Sequence, residues 1–190
     1  VLFVDAFDTL LLPAAKDLVH RFLWLGADLV FGAELECSPD DSMRLLYPPH
    51  LAAASVFLNS GTYIGRASDV RWMLDEVAED LRRNHEAFGG DVLAVDDQRW
   101  FTRFFLRHAN TSHVVLDTSR ALFLPMFAVP PLDIIVVPGD PAFLRYGPTG
   151  DSPCVLHGNG GSQARLKSLT EELGAAGWPP PDAAAGIAAM

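Results

Sequence analysis

This sequence predicts an α/β fold, in which strands alternate with helices. Three observations carry that expectation. Short apolar runs at Val1 to Val4, Leu29 to Phe31, Val114 to Leu116 and Ile134 to Val137 have the length of buried strands. Apolar residues recur at helical spacing from Ala14 to Leu25 and again from Ser68 to Leu81. A hydrophobic share of 49% over 190 residues is ample for the core of one domain.

Taken in chain order, Val1 to Val4 ends in Asp5 and reads as a buried parallel strand with an acidic motif at its carboxyl end. Leu18, Val19, Phe22 and Leu23 mark one helical face, and Gly26 is a stop signal before the strand at Leu29. Pro, Asp and Ser residues indicate a loop from Glu34 through Pro49. Val56 to Leu58 then leads into Asn59-Ser60-Gly61, residues that suit a strand end or turn. Ser68 is the expected cap of a helix burying Val70, Leu74, Val77, Ala78 and Leu81. A second helix is expected from near Asp96, with Phe101, Phe104 and Phe105 turned inward. Beyond Val114 to Leu116, strands are expected at Ala121 to Leu124 and Ile134 to Val137, with Pro138 to Pro153 as loop. Cys154 to Leu156 reads as a short strand that delivers His157. The domain is expected over residues 1–178, and the Pro- and Ala-rich stretch 179–190 as a linker or disordered tail.

Composition narrows the function. Fourteen Lys and Arg against 24 Asp and Glu leave a formal charge of -10, which repels nucleic acid and anionic membrane surfaces. An anionic substrate would need local help from a metal ion. No apolar run reaches the roughly 18 residues of a membrane span. Cys37 and Cys154 leave the redox compartment open. No signal peptide is visible, and the apolar start at Val1 without a Met leads us to expect a longer protein, with a further β-α-β unit upstream.

Four constellations carry potential chemistry. Asp5 and Asp8, three residues apart after a strand, can face one point and hold a hard cation, or can serve as ordinary turn and strand-end hydrogen-bonding groups. His157-Gly158-Asn159-Gly160 offers an imidazole nitrogen beside glycines that let backbone approach a ligand; an ordinary turn uses the same residues. Asp96-Asp97-Gln98 fits helix capping, or a base and a sugar-orienting amide. Asn59-Ser60-Gly61 fits a turn, or contact with a polyhydroxylated ligand.

The phrases VLFVDAFDTLL, LVFGAE, YPP, FLNSGTYIG, DDQRWFTRFF, VLDTSRALF and VLHGNG occur in this order from Val1 to about Gly160. Together they resemble the glycosyltransferase domain of collagen lysyl hydroxylases and procollagen glycosyltransferases. The resemblance implies a GT-A-like, Rossmann-like mixed sheet flanked by helices, and a hexose donor, UDP-glucose or UDP-galactose. It further implies a manganese ion, Mn2+, on Asp5, Asp8 and His157. By the same likeness Phe7 lies near the nucleotide and Asn159 with Gly160 near the phosphates. Asn59 and Gln98 become sugar or acceptor contacts, and Asp96 and Asp97 the acidic run needed for transfer. A protein or glycan acceptor, with hydroxylysine of a collagen-like protein as the family's example, and the lumen of the endoplasmic reticulum or Golgi follow from it too. Ser38 stands where the family tends to an aromatic, and Gln163 where a Lys is common, with Arg165 or Lys167 as substitutes for phosphate contact. Two other classes remain open: a magnesium-dependent haloacid dehalogenase-type hydrolase with Asp5 as nucleophile, and a degenerate transferase domain without catalysis.

Overall fold

A computed structural model describes residues 1–54, 56–84, 86, 96–111 and 113–178. The expected tail, 179–190, lies outside the described residues. In chain order the strands are β1 (Leu2–Val4), β2 (Thr9–Leu11), β3 (Leu29–Glu34), β4 (Phe57–Gly65), β5 (Val114–Leu116), β6 (Phe123–Pro125), β7 (Ile134–Val137), β8 (Phe143–Tyr146) and β9 (Val155–His157). The helices are α1 (Leu18–Leu25), α2 (Pro49–Ala53), α3 (Ala67–Asn84), α4 (Asp97–His108) and α5 (Gln163–Ala175). This is the expected mixed α/β architecture, GT-A-like, with mixed sheets flanked by helices.

The main sheet runs β1-β4-β3-β5, antiparallel except for the parallel β3/β5 pair. A second sheet, β2-β9-β6, places β9 antiparallel to β2 and parallel to β6. The β7/β8 hairpin stands apart as a two-stranded sheet. Phe104, Phe105, Met73 and Val70 from α4 and α3 pack with Phe31, Phe57 and Leu58 of the main sheet. Leu169 and Leu173 of α5 close a second cluster with Leu124, Leu144 and Leu156. Leu18 and Phe22 of α1 join both sheets through Val30, Ile64, Phe123 and Val155. Gly26 ends α1 in the left-handed conformation at φ 67°, as expected of a glycine C-cap.

Several local expectations are corrected. β1 is an antiparallel edge strand, with Leu2 and Phe3 half-exposed, where a buried parallel strand was expected. An apolar run by itself does not distinguish centre from edge. Here Phe3 covers part of its ring by stacking on Tyr63 at 4.7 Å. Asn59-Ser60-Gly61 is no turn: it lies inside β4, nine residues that are all buried. α3 begins at Ala67, ahead of the expected Ser68 cap, and buries Val70 and Met73 while Leu74 is exposed. β6 starts two residues later than expected, because the Ala121 and Leu122 N–H groups donate to the buried Asp117 carboxylate. The expected loops at 34–49 and 138–153 contain a 3-10 helix at Asp41–Leu46 and strand β8, respectively. α5 follows no pattern recognised in the sequence, since its fully buried face is only Leu169 and Leu173.

Candidate functional site

An irregularity in the main sheet builds the site. The β3/β4 pairing steps from Phe31↔Tyr63 to Gly32↔Asn59, so β4 bulges over Ser60, Gly61 and Thr62. Backbone groups of the bulge are thereby released from β3 and turned to other partners. The Gly61 carbonyl accepts from Asp5 N–H at 2.9 Å, which fixes the chain just after β1. The Asp8 carbonyl accepts from Gly158 N–H at 2.7 Å, tying the Asp5–Asp8 turn to the end of β9. Through these two bonds the main sheet, the acidic turn and the second sheet meet at one point.

At that point Asp5, Asp8 and His157 each offer a ligand atom, all within 4.8 Å of one another. His157 Nε2 lies 3.2 Å from Asp5 Oδ2 and 3.4 Å from Asp8 Oδ1. His157 is 2% exposed, while the Asp5 side chain is 46% exposed and faces the opening. Nε2 is buried and makes no properly directed hydrogen bond, although both carboxylates are near. Two carboxylate oxygens and one imidazole nitrogen this close together fit a divalent cation of mixed oxygen and nitrogen preference. Burial pulls the His157 pKa below its ordinary value against the opposing pull of Asp8 and Asp5, which favours the neutral ring a metal requires. Gly61 makes the room: a Cβ there would stand 2.2 Å from His157 Cε1 and 2.5 Å from Asp5 Oδ2.

The three groups open into a cleft of about 490 Å³. Glu34, Asn59, Ser60, Asp96, Asp97, Gln98, Asn159 and Gly160 also line it. Asp5, Asp8, Glu34, Asp96 and Asp97 make the wall acidic, and among the described residues its lining contains neither Lys nor Arg. Arg165, expected as a substitute phosphate contact, instead donates to the carbonyls of Val129 and Pro130 at 2.5 and 3.2 Å. Ser38 lines the cleft, and its carbonyl accepts from Gln98 Nε2 at 3.0 Å.

The remaining candidates divide by geometry. Asp96 is the N-cap of α4 and accepts from Gln98 N–H at 3.0 Å, so the capping reading holds for it. Asp97 accepts from Ser60 Oγ at 3.1 Å and is otherwise open to the cleft. Asn59, Gln98 and Asn159 are buried, their amides engaged with protein groups. Gly160, at φ 58°, sits against Phe127, whose ring a Cβ would meet at 2.7 Å. Phe7 is fully exposed, at 102%, and is not among the lining residues.

Sequence reasoning missed Glu34. It is 2% exposed at the end of β3, and its carboxylate accepts from Gln98 Nε2 at 2.6 Å, Asn159 Nδ2 at 2.6 Å and Asn59 Nδ2 at 3.3 Å. Burial raises its pKa from 4.5 to about 7, with Asp96 adding to the rise and the three amide donors opposing it. The available signal was an acidic residue closing the apolar run Leu29–Glu34. Ser60 enters the sequence reading only within the Asn59-Ser60-Gly61 motif, with no role of its own; the structure sets its hydroxyl on Asp97.

A mixed-sheet α/β domain whose cleft gathers carboxylates and an imidazole is a GT-A-like glycosyltransferase architecture. The chain belongs to the PLOD GT domain family, whose profile matches residues 1–180. It is similar to the Drosophila melanogaster procollagen-lysine,2-oxoglutarate 5-dioxygenase, with 29% identity covering 91% of this chain and 23% of that protein. Similarity extends to the Homo sapiens multifunctional procollagen lysine hydroxylase and glycosyltransferase LH3, 27% identical over 95% of this chain and 23% of that protein. The uncharacterized protein R699 of Acanthamoeba polyphaga mimivirus is 28% identical over 87% of this chain and 32% of its own length. The chain thus spans about a quarter to a third of the length of these relatives.

Proposed function

We propose that this domain moves a hexose, glucose or galactose, from its UDP-sugar to a hydroxyl acceptor in a metal-dependent reaction. The single observation that carries this reading is the convergence of Asp5, Asp8 and His157 on one point at the wall of the cleft. Charge supports it: among the described residues the lining carries Asp5, Asp8, Asp96 and Asp97 and neither Lys nor Arg, so a cation offsets their repulsion of a nucleoside diphosphate. Asp5, Asp8 and His157 would hold Mn2+, which suits one imidazole with oxygen ligands and supplies charge for the departing nucleoside diphosphate. Phe7, fully exposed between the two aspartates in sequence, would cover the nucleotide base by the family likeness. Asp97, held by Ser60, faces the sugar and the incoming hydroxyl as the base or orienting carboxylate. The acceptor that the family likeness suggests is hydroxylysine of a collagen-like protein, met in the secretory pathway.

The test is metal-dependent UDP release from UDP-glucose and UDP-galactose, together with direct Mn2+ binding. Asp5→Asn and Asp8→Asn are expected to abolish both, and His157→Ala to weaken both. Asp97→Asn is expected to leave Mn2+ binding unchanged and lower the transfer rate, on the order of 100-fold or more for a base. Mn2+ binding with no transfer to any hydroxyl acceptor would instead mark a degenerate domain. The haloacid dehalogenase reading is set aside, because the family match is to a glycosyltransferase domain and β1 is an antiparallel edge strand.

A further inference from the structure

We propose that Glu34 is a positioning residue that acts through Asn59 to hold His157 as the Nδ1–H tautomer, leaving its Nε2 lone pair turned toward Asp5 and Asp8. The inference rests on reading those three residues as a cation site. Its ground is the pattern of donors and acceptors around Glu34, which leaves each amide one orientation.

Asn59 Oδ1 accepts from Gly61 N–H at 3.2 Å, so the atom at that position must be the oxygen. The same oxygen lies 3.0 Å from His157 Nδ1, which must therefore carry the proton. Gln98 is locked in the same manner, its Oε1 accepting from Ser60 N–H at 3.1 Å. Asn159 is locked by Phe127 N–H, which donates to its Oδ1 at 3.0 Å. Each of the three amides is thus anchored at its oxygen by a backbone N–H, two of them from the bulge in β4. Their NH2 groups converge on Glu34 from β4, α4 and the loop after β9. Only an acceptor-only group satisfies three converging donors, and a carboxylate is that group. A glutamine at position 34 would add a fourth NH2 among them. Asn59 and Asn159 share Glu34 Oε2 while Gln98 takes Oε1, so where the glutamine NH2 occupies the Oε2 place it meets both asparagines, and Asn59, with the longest bond, is the amide that gives way against its Gly61 N–H anchor. Turned over, it presents NH2 to His157 Nδ1, and the ring proton must move to Nε2, the atom a cation needs bare.

The experiment is imidazole 15N NMR of the full chain without metal, at a pH above about 7 where Glu34 is the ionised carboxylate, followed by Mn2+ titration. In the wild type, His157 is expected to show a protonated, pyrrole-type Nδ1 and a bare, pyridine-type Nε2. Glu34→Gln is expected to populate the Nε2–H form and to weaken Mn2+ binding about 10- to 100-fold, the usual range for a residue supporting a metal ligand. Asn59→Asp, which can only accept, is expected to keep Nδ1–H, whereas Asn59→Leu is expected to give a mixture. That contrast decides the question even where Glu34→Gln does not fold. An Nε2–H ring in the wild type, or one tautomer shared by the wild type, Asn59→Asp and Asn59→Leu, overturns the relay. A wild-type Nδ1–H ring in a chain that does not bind Mn2+ supports the relay and removes the cation reading alone.

Discussion

At the scale of single residues, the site is limited by space and by desolvation. Gly61 is required because any side chain would enter the volume of His157 and Asp5. Gly61→Ala is expected to displace the imidazole, to lower stability by about 1–3 kcal/mol through overpacking, and to weaken Mn2+ binding. Isothermal titration and chemical denaturation check the two effects separately. Glu34 gives a pH dependence whose sign follows from its raised pKa, 4.5 to about 7. The folded state holds this proton more tightly than the unfolded chain does. Stability from this group is therefore fully present below about pH 4.5 and is lost as pH rises through about 7. The loss approaches about 3 kcal/mol by linkage at 1.36 kcal/mol per unit. Glu34→Gln removes this titration, so the stability difference between metal-free wild type and variant should change across that window. A constant difference would show that Glu34 does not titrate there.

At the scale of elements, α4 carries both ordinary helix physics and part of the site. Asp96 caps its first turn, and Asp97, one residue on, points into the cleft beside Ser60. Asp96→Ala is expected to lower stability by about 0.5–2 kcal/mol, the usual loss for a cap, with Mn2+ affinity unchanged. Thermal melts with a parallel metal titration measure both quantities. The far end of α4 is tied to α3 by Arg103, which donates twice to Asp80 at 2.7 and 2.8 Å, and by Arg107. Chiefly through the Arg103 hydrogen bond, these partners lower the Asp80 pKa from 3.8 to about 2. The cross-link is consequently present above about pH 3.8 and is lost as pH falls through about 2.

At the scale of the whole molecule, the site is a junction. Asp5 follows a strand of the main sheet, His157 ends a strand of the second, and Asp8 lies just before the partner of that strand. A cation bound there adds to the hydrogen bonds and apolar clusters through which the two sheets already meet. At Mn2+ a hundredfold above its dissociation constant, mass action adds about 2.7 kcal/mol to stability. The expected signature is a rise of several degrees in melting temperature that disappears in Asp8→Asn. A melting temperature indifferent to Mn2+ in the wild type would count against the site.

The acidic turn, the helix of aromatics and the strand that delivers His157 were legible because each is local. An apolar run followed by a charged residue, or aromatics spaced by a helical turn, bears its signal within about ten residues. The candidate cation ligands Asp5, Asp8 and His157 are likewise legible as motifs through the family resemblance. Tertiary structure alone decided that Asn59-Ser60-Gly61 is bulged strand rather than turn, since only β3 beside it forces the choice. It alone separated the two carboxylates, leaving Asp96 as the cap the sequence allows and turning Asp97 into the cleft. It alone exposed Glu34 as the acceptor for three amides, because those donors come from positions 25, 64 and 125 residues away. Sequence by itself determined much of the strand-and-helix pattern, through short-range periodicity, and the candidate ligands, through the family resemblance joined to side-chain chemistry. Which polar group satisfies which other was left to the fold, because a buried donor takes whatever acceptor packing brings within reach, at any separation along the chain.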